Sequence, residues 1–97
     1  MDTQAIIKSC LDDRKVSLEQ LQGKYKQLNF DAEKAFFEES MYLKLGERHS
    51  SKYRQTFLNK QQLCKEKVAM LEQEKEPIEK EIKVLEKEIE YLEELMN

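Results

Sequence analysis

Apolar residues recur in the second half of the chain at alternating steps of three and four positions. Between Pro77 and Met96 they fill the a and d positions of a heptad repeat, here called the seam, without a polar interruption. Seven flanking e and g positions between residues 72 and 93 are acidic: Glu72, Glu74, Glu79, Glu81, Glu86, Glu88 and Glu93. Two identical helices in parallel would place these carboxylates against each other, so the pattern predicts a helix that needs a partner with basic edges.

The first half of the chain carries a second seam. Its apolar positions are Ile7, Leu11, Leu18, Leu21, Tyr25, Leu28, Ala32 and Ala35, and Arg14 is the one interruption. Asp2 and Thr3 are good N-caps, so the pattern predicts a helix over about residues 3–45. A break near Asn29–Asp31 is an alternative, because both residue types favour N-caps. Neither completes a capping box, however, and the seam continues in phase.

A turn is predicted at about residues 46–50, where the heptad pattern stops. Gly46 suits the C′ position of a helix, since a left-handed conformation costs glycine nothing, and Ser50 or Ser51 can cap the next helix. That helix is predicted over about residues 51–96. Pro77 lies outside its seam, and the heptad phase is the same on both sides. One helix kinked at Pro77 is therefore favoured over a new helix that begins with Pro77 at its N1 position.

Folding the chain at this turn makes the two halves each other's partner. Ile7 then faces Ile89 and Leu11 faces Leu85, each an a position against a d position, as antiparallel packing requires. The rims are of opposite charge, as in the pairs Lys8 with Glu86, Lys15 with Glu79, and Lys24 with Glu74. We therefore predict an all-α fold: a single domain, residues 1–97, that forms a long antiparallel helical hairpin of coiled-coil type. Pairing within one chain or by exchange between two chains stays open.

Two basic residues disagree with the seam. In this register Arg14 faces Ile82, and Lys75 faces Leu21. Long basic side chains can lay their methylene groups on a seam and reach water with the charged head. We interpret both residues as tolerated defects that fix the register, with exposure to an acidic partner as the alternative.

A two-helix hairpin leaves many apolar side chains outside the seam, and such surface patches usually mark an interface. The residues that we expect to form a protein-interaction surface are Phe30, Phe36, Phe37, Met41, Phe57, Leu58, Val84, Tyr91 and Leu95. Self-association of hairpins into a four-helix bundle is the favoured explanation. A local third helix or bent segment around residues 31–45, packed over the turn, is one alternative, and docking of a different protein is another.

The composition excludes several other classes of function. Of the 97 residues, 38% are charged, but the net charge of −3 and the lack of a basic run give no indication of nucleic-acid binding. No apolar run approaches the ~18 residues of a membrane span, and the N-terminus lacks the apolar core of a signal peptide. We therefore expect an intracellular protein, cytoplasmic or nuclear, in which Cys10 and Cys64 are free thiols.

Catalytic chemistry is not expected. His49 is the one histidine, and the serines beside it are better explained as helix caps. No glycine-rich phosphate loop occurs, so we expect no enzyme activity, cofactor, metal or small-molecule substrate. The function expected from the sequence is a non-catalytic coiled-coil scaffold or adaptor, for example a subunit of a cytoskeletal or chromosome-associated complex. Its partners would be proteins, in a homodimer, a higher oligomer or a heteromer. A small assembly chaperone that binds clients at the aromatic-rich turn end is the alternative.

Overall fold

The computed structural model describes residues 2–49 and 51–97. They form two α-helices of 46 residues each, α1 (Thr3–Arg48) and α2 (Ser51–Met96), which pack antiparallel as a hairpin. The prediction of an all-α antiparallel hairpin is confirmed, whereas association into a four-helix bundle and the single domain stay predictions. Contacts divide the chain into two compact units. The terminal unit joins the chain up to Lys26 with Glu76–Asn97, and the turn unit is Gln27–Lys75.

Helix α1 begins where the sequence predicts and ends later. The backbone N–H of Gln4 donates to Asp2 Oδ1 at 3.0 Å, which makes Asp2 the N-cap. The helix runs unbroken through Asn29 and Asp31, so the alternative of a break there is wrong. It also includes residues 31–45, so the alternative of a separate third helix or bent segment over the turn is wrong as well.

Gly46 lies inside α1 and not at its C′ position. No described glycine has a positive φ, so the prediction of a left-handed C-cap at Gly46 is wrong. The helix continues to Arg48, and the His49 N–H donates to the Leu45 carbonyl oxygen at 3.1 Å. Gly46 occupies a seam position and is buried, so packing against α2 outweighs the ~1 kcal/mol by which glycine disfavours a helix. Ser50, the other predicted turn residue, lies outside the described residues.

Helix α2 passes through Pro77 without a break, so the alternative of a new helix beginning there is wrong. Proline removes one backbone hydrogen bond and disfavours a helix interior by about 3 kcal/mol. The seam packs on both sides of Pro77, at Ile78 and at Lys75, and the proline ring itself is exposed. Tertiary packing therefore sustains a helix that local propensity opposes.

The predicted seam residues are the buried ones. On α1 each seam position from Ile7 to Ala35 is buried or half-buried, and the same holds on α2 from Phe57 to Leu92. In the terminal unit the core cluster is Ile7, Leu11 and Ile89, with Leu18 and Leu92 packed against it. In the turn unit Leu28, Ala32 and Ala35 are buried.

The pairing register differs from the predicted one by about one heptad. Arg14 was expected to face Ile82, but its side chain reaches Glu88, six positions further along α2. Gly46 was expected in the turn, but a methyl group at this position would lie 3.8 Å from Phe57 Cβ. A shift of one heptad keeps a opposite d, which is why the seam prediction holds although the individual partners were wrong.

The predicted rim pairs are not formed. Within the described residues, Lys8, Lys15 and Lys24 make no ion pair with the glutamates assigned to them, whereas Arg14 pairs with Glu88 and Lys75 pairs with Glu72. Because glutamates recur every seven residues along these rims of α2, Lys8, Lys15 and Lys24 face a glutamate both in the predicted register and after a shift of one heptad. These three lysines therefore favour antiparallel pairing without distinguishing between the two registers.

Candidate interaction surfaces

The outer face of α1 in the turn unit carries three exposed phenylalanines. Phe30 and Phe37 are seven residues apart at heptad position f, opposite the seam, and their exposed fractions are 60% and 69%. Phe36, at position e on the flank of the seam, is 62% exposed. Met41 is half-buried on the same side of the helix as Phe37. These residues were predicted from the sequence, and their role in binding stays a prediction.

Phe57 and Leu58, also in the predicted set, have contacts within the chain. Phe57 stacks on Tyr42 with ring centroids 6.3 Å apart and lies 5.7 Å from the His49 ring. The Leu58 side chain lies beside Gly46, with Cδ2 3.6 Å from where a methyl group on that residue would be. Both side chains are half-buried, so much of their apolar surface is used in closing the turn end of the hairpin.

Basic side chains accompany the aromatic residues on the outer face of α1. The heptad positions c and f from residue 30 to residue 48 are Phe30, Lys34, Phe37, Met41, Lys44 and Arg48, with no acidic residue among them. A shallow groove of about 220 Å³ runs between Phe37, Met41, Lys44 and Arg48. Lys34, Lys44 and Arg48 are exposed, and none of them forms an ion pair with a described residue.

In the terminal unit the exposed apolar side chains lie on α2. Val84, Tyr91 and Leu95 are 43%, 55% and 46% exposed. Tyr91 and Leu95 border a groove of about 540 Å³ that also includes Cys10 and Leu92. These three exposed residues were predicted from the sequence, and the structure places them on one side of α2.

An ion pair forms one wall of this groove. Arg14 Nε donates to Glu88 Oε2 at 2.7 Å, and Arg14 Nη1 donates to the Cys10 carbonyl oxygen at 3.2 Å. The hydrogen bond to Glu88 raises the pKa of Arg14 above its ordinary value. The guanidinium thus remains charged, and it binds acceptors of its own chain. This contact supports the interpretation of Arg14 as a tolerated seam defect.

Lys75 likewise has partners inside the turn unit. Its Nζ donates to Asn29 Oδ1 at 2.6 Å and to Glu72 Oε1 at 3.2 Å, and its side chain is only 15% exposed. Similarly, in the terminal unit the Tyr25 hydroxyl donates to Glu79 Oε1 across the seam. These polar contacts join specific residues of α1 and α2, so they favour the observed register.

Several exposed apolar residues were not in the predicted interaction set. On α2 of the turn unit Leu63 and Met70 are 65% and 61% exposed, and Ile6 at the start of α1 is 46% exposed. Leu63 and Met70 share heptad position c with Val84 and Tyr91. This heptad spacing was the signal in the sequence that would have added Leu63 to the set.

The described residues contain no group of three metal-ligating side chains. Cys10 and Cys64 are free thiols, and partial burial, with a contribution from Glu38, raises the pKa of Cys64 above its ordinary value. His49 is exposed, and its ring contacts Tyr53 and Phe57. Neither described helix contains a stretch that is long and apolar enough to cross a membrane.

Comparison with known proteins gives no further assignment. No protein-family model matches the chain, and no curated protein and no solved structure matches it either. The functional conclusion therefore depends on the surfaces described above.

Proposed function

We propose that this protein is a non-catalytic assembly protein, a helical hairpin that self-associates and thereby acts as a scaffold or adaptor for other proteins. The observation that carries the proposal is the set of three exposed phenylalanines, Phe30, Phe36 and Phe37, on the outside of α1. Monomeric soluble proteins rarely expose contiguous apolar patches that have no role in binding.

The thin core of a two-helix hairpin supports the same proposal. No large side chain among the described residues is completely buried, and even the best-buried apolar residues such as Ala35 and Leu11 keep 3% and 6% of their surface exposed. Full burial of one phenylalanine contributes about 1.5–3 kcal/mol. Packing a second hairpin on the outer face of α1 would therefore add a favourable term that one hairpin cannot obtain alone.

Sedimentation equilibrium of the purified chain tests this proposal. Between about 1 µM and about 300 µM, a range that covers weak association, we expect the mean mass to rise above that of one chain. A chain with Phe36→Ala and Phe37→Ala should stay closer to the monomer mass while keeping its helical circular dichroism. A monomer mass over the whole range for the unaltered chain would overturn the proposal.

A holdase is the second candidate, and the concentration of rings in the turn unit favours it. A chaperone of this kind would bind an unfolded client at Phe36 and Phe37 and delay its aggregation in a light-scattering assay. The Phe36→Ala/Phe37→Ala chain would then lose this effect without a change in its own mass. Loss of self-association in that variant would instead support the scaffold.

A further inference from the structure

Two stripes that lie outside the buried seam have the same spacing and opposite central charge, and they are exposed except for the half-buried Met41 and Glu88. On α1 of the turn unit the first stripe is Phe30, Lys34, Phe37 and Met41. On α2 of the terminal unit the second stripe is Val84, Glu88, Tyr91 and Leu95. Both follow steps of four, three and four residues, which is the spacing of one side of a coiled coil. Each stripe places one charged residue between apolar ones, a lysine in the first and a glutamate in the second.

We propose that the first stripe of one chain binds the second stripe of another copy as a short parallel coiled coil. This inference rests on the proposed self-association and names its contact. In the parallel register Lys34 meets Glu88 of the second copy, Phe37 meets its Tyr91, and Met41 meets its Leu95. Lys34 is exposed and forms no ion pair with a described residue. Glu88 bonds Arg14 through Oε2, and a carboxylate can accept further bonds at its other oxygen.

The residues beside the stripes are complementary in the same register. If the stripe residues are taken as the a and d positions of this contact, each g residue of one helix lies near the e residue in the next heptad of the partner. That rule places Lys87 of α2 near Glu38 of the second copy's α1, and Lys80 near its Asp31. Three pairs of opposite charge therefore form, and no pair of like charge occurs among these positions.

The competing arrangements are less favourable. Two copies of the first stripe in parallel would set Lys34 against Lys34 and Glu33 against Glu38, and two copies of the second would set Glu88 against Glu88. An antiparallel contact between the two stripes would place Lys34 against Tyr91 and Glu88 against Phe37. Like charges in contact oppose association, and the antiparallel contact gives up the Lys34–Glu88 pair and sets the Glu88 carboxylate against the negative face of an aromatic ring. Charge thus selects the unlike stripes and the parallel direction.

A charge exchange tests the contact in the chain of 97 residues. Lys87→Glu and Glu38→Lys each create a like-charge contact, and each should weaken self-association roughly three- to tenfold, as expected for a partly exposed pair. The chain with both changes restores opposite charges and should return to the original association constant. Additive weakening in the double variant would overturn the inference. Far-UV circular dichroism of each variant verifies that the hairpin is folded.

Phe37→Ala and Phe36→Ala form a matched pair. The two phenylalanines are adjacent in sequence and similarly exposed, but only Phe37 belongs to the stripe. Phe37→Ala should weaken association more than about tenfold, as loss of a central aromatic residue does, and Phe36→Ala should weaken it less than about threefold. Equal effects of the two changes would contradict the assignment.

Disulfide trapping identifies the register. In chains that carry Cys10→Ser and Cys64→Ser, one preparation has Met41→Cys and the other Leu95→Cys. Oxidation of the mixture should cross-link a Met41→Cys chain to a Leu95→Cys chain. The amount of this heterodimer should exceed the amount of cross-linked homodimer that either preparation forms alone. An oligomer that forms without this cross-link and is indifferent to Phe37→Ala would overturn the inference and leave the proposed self-association in place. A chain that stays monomeric would overturn both.

Discussion

Replacement of Gly46 by alanine tests how α1 ends. A glycine in the left-handed C′ position is destabilised by a side chain, because the conformation costs an L-residue about 1–2 kcal/mol. In the structure Gly46 is a buried residue inside α1 with no positive φ. The two arrangements predict opposite signs for the change in unfolding free energy.

The magnitude follows from two contributions. Alanine exceeds glycine in helix propensity by about 1 kcal/mol. A methyl group at position 46 would lie 3.6 Å from Leu58 Cδ2 and 3.8 Å from Phe57 Cβ, which are ordinary van der Waals distances. Its burial adds at most about 0.8 kcal/mol. Gly46→Ala should therefore stabilise the chain by about 1–2 kcal/mol, which corresponds to a rise in Tm of roughly 5–10 °C.

Gly23→Ala is the matched control. Gly23 is exposed on α1, and a methyl group there would meet nothing within 4 Å. This variant should gain only the propensity contribution of about 1 kcal/mol. Urea unfolding followed by far-UV circular dichroism, at one protein concentration for all variants, measures both values. A lower unfolding free energy for Gly46→Ala than for the unaltered chain would refute the placement of Gly46 inside the helix.

Four further outcomes are expected. In a chain without its native thiols, Gly46→Cys with Phe57→Cys should form a disulfide within one chain, since the Cβ separation of 3.8 Å is typical of disulfides. Cross-linked dimers on a non-reducing gel would contradict the intrachain pairing. Pro77→Ala should raise the unfolding free energy by up to about 3 kcal/mol in urea, and an unchanged or lower value would contradict the cost assigned to the proline. Ile89→Ala should lower it by about 2–3 kcal/mol, because Ile89 belongs to the terminal core cluster, and a loss below about 0.5 kcal/mol would argue against that cluster. Because the raised pKa of Cys64 reduces its thiolate fraction, iodoacetamide should alkylate it more slowly in the folded chain than in urea at the same pH, and equal alkylation rates would count against the shift. The stability that corresponds to the raised pKa is present below the pKa of the unfolded thiol, and it is lost as pH rises through the pKa of the folded one.

The candidate surfaces were largely visible in the sequence because they follow from position on a helix. A residue such as Phe37, at position f of a seam with strong heptad spacing, must point away from the partner helix, and it is 69% exposed. Phe57 and Leu58 were less predictable. Their half-burial depends on which residues of α1 lie opposite them, and that pairing is a property of the folded turn end.

The positions of the two helices and the identity of their buried faces were determined by the sequence. The alternation of apolar residues by three and four positions is a local property, and burial of one face in antiparallel packing follows from it. The register was decided by the tertiary structure. A slide by seven residues keeps a positions opposite d positions, and Lys8, Lys15 and Lys24 face glutamates in both alignments, so the heptad pattern and these charges do not distinguish them. The observed one depends on continuation of α1 through Gly46, and on the contacts of Arg14 with Glu88 and of Lys75 with Asn29. These contacts join residues far apart in sequence, and they exist only when the two helices are packed together.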